Sequence, residues 1–183
     1  MRAGIFLIAI VLLFACSGPV AEQSLQSQIA GLEVKIDSLE KHSSRENMAM
    51  LNEHRLKLAQ AYEQYADENK GKDSIQSEEY LALAASLYQN TLQQIDKALS
   101  LNDRIIAEYP ESERAVFALF NKGYIYNNYR RDTSMARTIY SEFVAKYPDH
   151  KLATDAKVEL QFLGKSAKEM LEEIQKNNQQ QEN

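Results

Sequence analysis

The first apolar feature of the chain is an unbroken run from Ile5 to Ala15, with Arg2 as the only charge before it. Such a run is too short to cross a hydrocarbon core of about 30 Å as a helix, but it has the length of the apolar region of an export signal. A polar spacer runs from Ser17 to Gln23, after which Leu25, Ile29, Leu32, Ile36 and Leu39 recur at spacings of 4, 3, 4 and 3. This predicts a helix over 24–42. With Ile at a and Leu at d of three heptads, the pattern favours a parallel two-stranded coiled coil and a homo-oligomer; the same stripe also suits packing on the protein's own helices. Ser43 and Glu46 have the spacing of a capping box, so a new helix is predicted through Met48, Leu51, Leu58, Tyr62 and Tyr65 to Asn69. Gly71 interrupts it, and Asp73 or Ser74 is placed to cap the next. From Ser77 to Tyr109 no Gly or Pro intervenes.

Beyond Tyr109-Pro110, Ser112 is placed to cap a helix carrying Phe117, Leu119, Phe120, Gly123, Tyr124 and Tyr126. Asp132 or Thr133 caps the following one, which Pro148 ends, since proline drives the preceding residue out of the α region. Asp149 then opens a last helix over 150–176, with Gly164 inside it where another helix crosses closely, and the Gln/Asn-rich 177–183 is predicted to be a disordered tail. These helices repeat. At a 38-residue offset Ala85 falls on Gly123, Tyr88 on Tyr126, Asn90 on Asn128, Ala98 on Ala136, Leu101 on Ile139 and Tyr109-Pro110 on Tyr147-Pro148. A fixed period of this size signals stacked helical units, here about 78–110 and 116–148. The same register predicts a turn near Asn90–Gln93, which would divide 77–109 into two helices; with no Gly or Pro there, the alternative is one long fused helix. Two units leave apolar faces open, and the flanking helices of the 44–176 domain are suited to cap them.

A small residue followed by Tyr on one helix, then Ala136, Tyr140 and Phe143 at i, i+4 and i+7 on the next and a closing Pro148, resembles the tetratricopeptide repeat. The 38-residue unit departs from it in being longer and in carrying Leu81 and Leu119 where the family has a large aromatic. The Ala-x-x-Tyr-Pro endings and the Ala-x-x-Ala starts after them look most like the repeats of outer-membrane lipoproteins, the BamD-like group of β-barrel assembly and the Tol-Pal coordinators. The latter also place a coiled coil ahead of their repeats. The resemblance implies an all-α helical-repeat solenoid that binds other envelope proteins. Its groove, lined by the first helix of each pair, carries over to Phe117, Phe120, Asn121, Tyr124, Asn127 and Asn128, with Glu79, Leu83, Ser86, Gln89 and Asn90 from the preceding unit. Asn side chains there would hold a peptide backbone and aromatics its side chains. The plainer role for Phe117 and Phe120 is packing on a neighbouring helix.

Cys16 is the only cysteine, so no disulfide is available to an exported domain. Leu13-Phe14-Ala15-Cys16 resembles a bacterial lipobox, with 1–15 as signal peptide and Cys16 as the lipidated residue of a 16–23 spacer; the alternative is an ordinary signal peptide with an incidental cysteine. Several acyl chains anchor a protein far more firmly than one. Ser17 after the cysteine implies an outer-membrane lipoprotein facing the periplasm. Cleavage before Cys16 removes Arg2 alone among charges, leaving 20 Lys and Arg against 26 Asp and Glu. That acidic balance argues against nucleic acid, which needs clustered cations, and against a polybasic grip on lipid headgroups.

His42, His54 and His150 are far apart with no ligand partners at metal spacing, and the neighbouring carboxylates Glu78-Glu79 and Glu172-Glu173 point apart on helices. No Gly-rich phosphate loop or nucleophile elbow is present. The sequence therefore points to a non-enzymatic adaptor without metal or cofactor, the alternative being a structural tether in which coil and lipid act and the repeats are spacers.

Overall fold

The computed structural model describes residues 24–42, 44–45 and 47–181. The export signal, Cys16 and the Ser43–Glu46 capping box lie outside them. Among the described residues eight α-helices succeed one another: α1 (Leu25–Lys41), α2 (Met48–Glu68), α3 (Ser74–Ser86), α4 (Ile95–Glu108), α5 (Glu113–Asn128), α6 (Thr133–Lys146), α7 (Leu152–Phe162) and α8 (Ala167–Gln181). Helices α1 to α6 each pack on the next, and α3 also touches α5, so that pairs α1–α2, α3–α4 and α5–α6 stack in chain order with α7 on the end.

The helix starts have local causes. The Asp73 side chain accepts from the Gln76 N–H at 3.2 Å, Ser112 from Ala115 at 3.0 Å and Asp132 from Met135 at 2.9 Å, each satisfying an otherwise orphaned donor. For α7 the expected cap is wrong. Asp149 makes no cap; His150 Nδ1 instead accepts from the Leu152 N–H at 3.2 Å, because α7 begins two residues later than the sequence suggests.

Between α3 and α4 the chain widens into a π-turn, Leu87–Thr91, and then reverses through Gln93 at φ 55°. This is the turn expected from the repeat register, and it recurs in the next unit. Arg131, one repeat further on, has φ 57°. The backbone bonds match as well: Leu92 N–H donates to Leu87 and Gln94 to Tyr88, as Arg130 donates to Ile125 and Asp132 to Tyr126.

The core forms two clusters along the stack, bridged by the partly buried Ile106 and Tyr126. Leu51, Leu58, Tyr62, Tyr65, Leu81, Tyr88, Leu101 and Ile105 are among the buried residues of its larger part, while Leu119, Ala136, Tyr140, Phe143 and Ala156 build the smaller part between α5, α6 and α7. Ile29 and Ile36 belong to the larger part, with Leu25, Leu32 and Leu39 packed against it. The heptad stripe of α1 therefore packs on α2 of its own chain rather than being left for a parallel partner. Polar contacts reinforce the seam: Tyr62 donates to Glu33 at 2.6 Å, Gln26 to Tyr65 at 3.1 Å and Arg55 to Glu40 at 2.6 Å. Burying Ile29 and Ile36 contributes about 1.5–3 kcal/mol each to this packing.

The last predicted helix is two. Gly164 takes φ 81°, a left-handed conformation that ends α7 rather than a close helix crossing, and no neighbouring atom lies near its absent Cβ. Ser166 and Glu169 then form a reciprocal capping box: the Glu169 N–H donates to Ser166 Oγ at 3.3 Å and the Ser166 N–H to Glu169 Oε2 at 2.7 Å. Residues 177–181, expected to be a disordered tail, continue α8, since glutamine is a good helix former behind a capped start. Among the described residues, no helix is long and apolar enough to cross a membrane.

Candidate binding groove

A cavity of about 380 Å³ opens between α3 and α5, lined by Ala82, Ala85, Ser86, Gln89 and Asn90 of α3 and its π-turn, and by Phe117, Ala118, Phe120 and Asn121 of α5. Asn102 and Ile105 of α4 form its floor, and Arg114 and Leu152 stand at the edge. Its floor is polar at one place only. Asn121 Nδ2 donates to Gln89 Oε1 at 2.9 Å and approaches Asn102 Oδ1 at 3.4 Å, while Asn102 Nδ2 donates to the Ala98 carbonyl at 2.7 Å. Gln89 and Asn102 are almost fully buried. Amides held in this way are pre-oriented, so a ligand meets them without an ordering cost.

Ser86 and Asn90 add further polar atoms to the wall, Asn90 Nδ2 donating to Ser86 Oγ at 3.2 Å, and the rest of it is apolar. Phe117 is 39 % exposed, with Lys151 Nζ 4.7 Å above its ring and His150 edge-on. Phe120 is wedged against Tyr140 and Phe143, at ring distances of 5.3 and 5.6 Å. At the rim Arg114 reaches Glu78 at 3.6 Å and Glu79 at 3.4 Å, so its charge is compensated by the protein. Lower down, the Glu113 carboxyl is held below the usual carboxylate range, first by a hydrogen bond from His150 and then by Lys151.

Six residues carry the groove expected from the sequence, and the structure separates them. Phe117, Phe120 and Asn121 line the cavity, together with Ser86, Gln89 and Asn90. Tyr124, Asn127 and Asn128 do not. The Tyr124 ring turns to Tyr129, with centroids 6.2 Å apart, and Asn128 donates to the Tyr124 carbonyl at 3.0 Å. Asn127 reaches Glu159 at 3.3 Å, and Asn127 and Asn128 border a different hollow of about 320 Å³, against Phe162, Gly164 and Met170. One more turn of α5 has carried these side chains past the cavity. Of the preceding unit's residues, Glu79 is held by Arg114 and Leu83 faces solvent. Asn102 and Ile105 escape a reading based on first helices because they lie on the second helix of their unit. The 38-residue offset holds the signal, since it sets them against Tyr140 and Phe143.

Among the described residues, no three of His, Cys, Asp and Glu come together as a metal site. Stacked antiparallel pairs, a repeated left-handed turn and a cavity between first helices define an all-α, tetratricopeptide-like helical repeat. Residues 117–150 match the family model of the tetratricopeptide repeat, a module that generally mediates protein–protein interaction. No curated protein and no solved structure gives a significant match to the chain.

Proposed function

We propose that this chain is a non-enzymatic, lipid-anchored adaptor of the bacterial envelope, facing the periplasm from the outer membrane and holding a partner polypeptide between α3 and α5. The observation that carries it is the cavity itself, with fixed buried amides beside exposed Phe117. An extended peptide offers the alternating backbone groups and side chains that such a wall recognises. The anchor rests on the Leu13–Cys16 motif, and service in outer-membrane protein assembly or envelope maintenance rests on the likeness of the repeats. The packing of the α1 stripe on α2 counts against a tether that works by coiled-coil pairing.

Crosslinking in intact cells, comparing wild type with Phe117→Ala plus Asn121→Ala, tests the groove. Loss of a defined envelope partner from the double variant is expected; an unchanged partner set overturns the assignment. Cys16→Ser tests the anchor, and should move the protein from the membrane to the soluble fraction.

A further inference from the structure

The 38-residue offset explains why the cavity exists. In the second unit Tyr140 and Phe143 of α6 and Phe120 of α5 form one aromatic cluster, with Tyr140 and Phe143 fully buried. Their counterparts in the first unit are Asn102, Ile105 and Ala82. All three are smaller, and all three line the cavity. Gly123, which lies under the Tyr140 ring, is matched by Ala85, another lining residue, whose methyl keeps a tyrosine at position 102 from taking the Tyr140 pose. The first unit therefore keeps the place of an aromatic cluster and lacks the aromatic rings. The result is a volume of about 380 Å³, within the range of about 300–1,000 Å³ typical of ligand sites.

We infer that this cavity is a receptor for a tyrosine side chain presented by a partner polypeptide, a reading that rests on the groove being the adaptor's binding site. The apolar part, with Ile105, Ala118, Phe117 and Phe120, fits an aromatic ring rather than a small polar side chain. The floor selects among rings. Gln89 Oε1 and Asn102 Oδ1 each accept from Asn121, and a carbonyl oxygen has a second lone pair for a hydroxyl donor. A phenol satisfies it, whereas a phenyl ring strips water from the amides and gives nothing back. Charge argues the same way: Arg114 is already paired with Glu78 and Glu79, so a carboxylate or phosphate finds no free cation at this rim.

Random peptides displayed on phage, selected on the full chain in detergent, test the inference. The selected peptides should share a tyrosine, and exchanging it for phenylalanine should weaken binding by several-fold to about tenfold, the loss of one hydrogen bond. Ala85→Gly with Asn102→Tyr rebuilds the second unit's pair inside the first; it should fill the cavity and abolish binding of those peptides. If that variant does not fold, Asn102→Ala decides, since it keeps the space and should shrink the preference for tyrosine over phenylalanine. Peptides that lose binding on Phe117→Ala yet carry no shared tyrosine overturn the inference and leave the groove standing. Tyrosine peptides that still bind the filled variant, or a preference unmoved by Asn102→Ala, overturn it as well. If no selected peptide responds to Phe117→Ala or Asn121→Ala, the groove reading falls and the inference with it.

Discussion

Gly123 lies directly beneath the ring of Tyr140: a Cβ added to the glycine would stand 2.7 Å from Cε1 and 2.9 Å from Cδ1 and Cζ of the tyrosine. This contact sets how closely α5 and α6 approach, and hence where Phe120 emerges on the groove side.

Gly123→Ala is accordingly expected to destabilise the protein. In an open helix the change gains up to about 1 kcal/mol, but overpacking a filled site costs about 1–3 kcal/mol. The Tyr140 ring is fully buried against Phe120 and has nowhere to yield, so the net loss should be about 1–2 kcal/mol, a fall of several degrees in Tm. Gly31, an exposed position on α1, is the control. No atom lies within 4 Å of its absent Cβ, and Gly31→Ala should raise Tm. A Gly123→Ala protein that melts like wild type would show the helices to be further apart than described.

Two buried tyrosines should answer the same substitution in opposite ways. Tyr88 donates its hydroxyl to Glu63 at 2.6 Å, whereas the Tyr140 hydroxyl is buried without a hydrogen-bond partner among the described residues. Removing a bond to a charged group costs about 1.5–3 kcal/mol when fully buried; Glu63 keeps some solvent and Lys97 at 3.7 Å, so about 1–2 kcal/mol is expected for Tyr88→Phe. Tyr140→Phe removes an unpaired polar atom and should be neutral or stabilising. Chemical denaturation of the two variants, side by side, checks the order; the reverse order would refute it.

The two left-handed turn residues give a third expectation. Non-glycine residues at positive φ cost about 1–2 kcal/mol, part of which glycine recovers despite its greater freedom when unfolded. Arg131→Gly should therefore stabilise by about 0.5–1 kcal/mol. Gln93→Gly should gain less, because the Gln93 side chain donates to the Gln89 and Asn90 carbonyls at 3.3 Å and closes the end of the π-turn. Equal gains at both positions would mean those bonds contribute nothing.

Alkaline pH should unfold the protein earlier than its acidic composition suggests. Burial, followed by a hydrogen bond to Glu33 or Glu63, pushes the Tyr62 and Tyr88 phenols well above the ordinary tyrosine value; burial does the same for Tyr140. In the unfolded chain these phenols ionise near pH 10. Above that point the unfolded state sheds protons that the folded state keeps, so the contribution present at lower pH is lost as pH rises. Tm should be nearly level from about pH 7 to 9 and fall beyond about pH 10, with tyrosinate absorbance appearing together with unfolding. Tyrosinate absorbance that rises fully near pH 10 before any loss of helix would sink the expectation.

Helix positions, most caps and the repeat were legible in the sequence because each depends on neighbours: Asp73, Ser112 and Asp132 each hold a backbone N–H three residues ahead. The turn after the π-helix left almost no trace, since Gln93 adopts a conformation in which glycine is the usual marker. Gly164 misled for the opposite reason, as a glycine in a helical pattern marks either a close crossing or a stop, and only its positive φ decides. The groove was half legible. Spacing along α5 put Phe117, Phe120 and Asn121 on the cavity but could not say where the cavity ends, which depends on Asn102 and Ile105 from another helix.

The heptad stripe of α1 is where sequence alone left two outcomes, and Ile29 separates them. Ile29 is 1 % exposed and packs with the core shared by α2, whereas Val34 on the opposite face is 71 % exposed. Deleting a buried isoleucine side chain to alanine costs about 2–5 kcal/mol, so Ile29→Ala should lower Tm markedly and by the same amount at every protein concentration. Val34→Ala should change little. Were the stripe instead the seam of a coiled coil, Ile29→Ala would weaken an oligomer: melting would depend on concentration, and sedimentation would shift from dimer to monomer. Because α1 also contributes Glu33 to Tyr62 and Glu40 to Arg55, its loss should loosen α2, against which α3 and the groove are built. A concentration-independent drop for Ile29→Ala, accompanied by weaker peptide capture, would tie α1 to the groove as part of one folded stack.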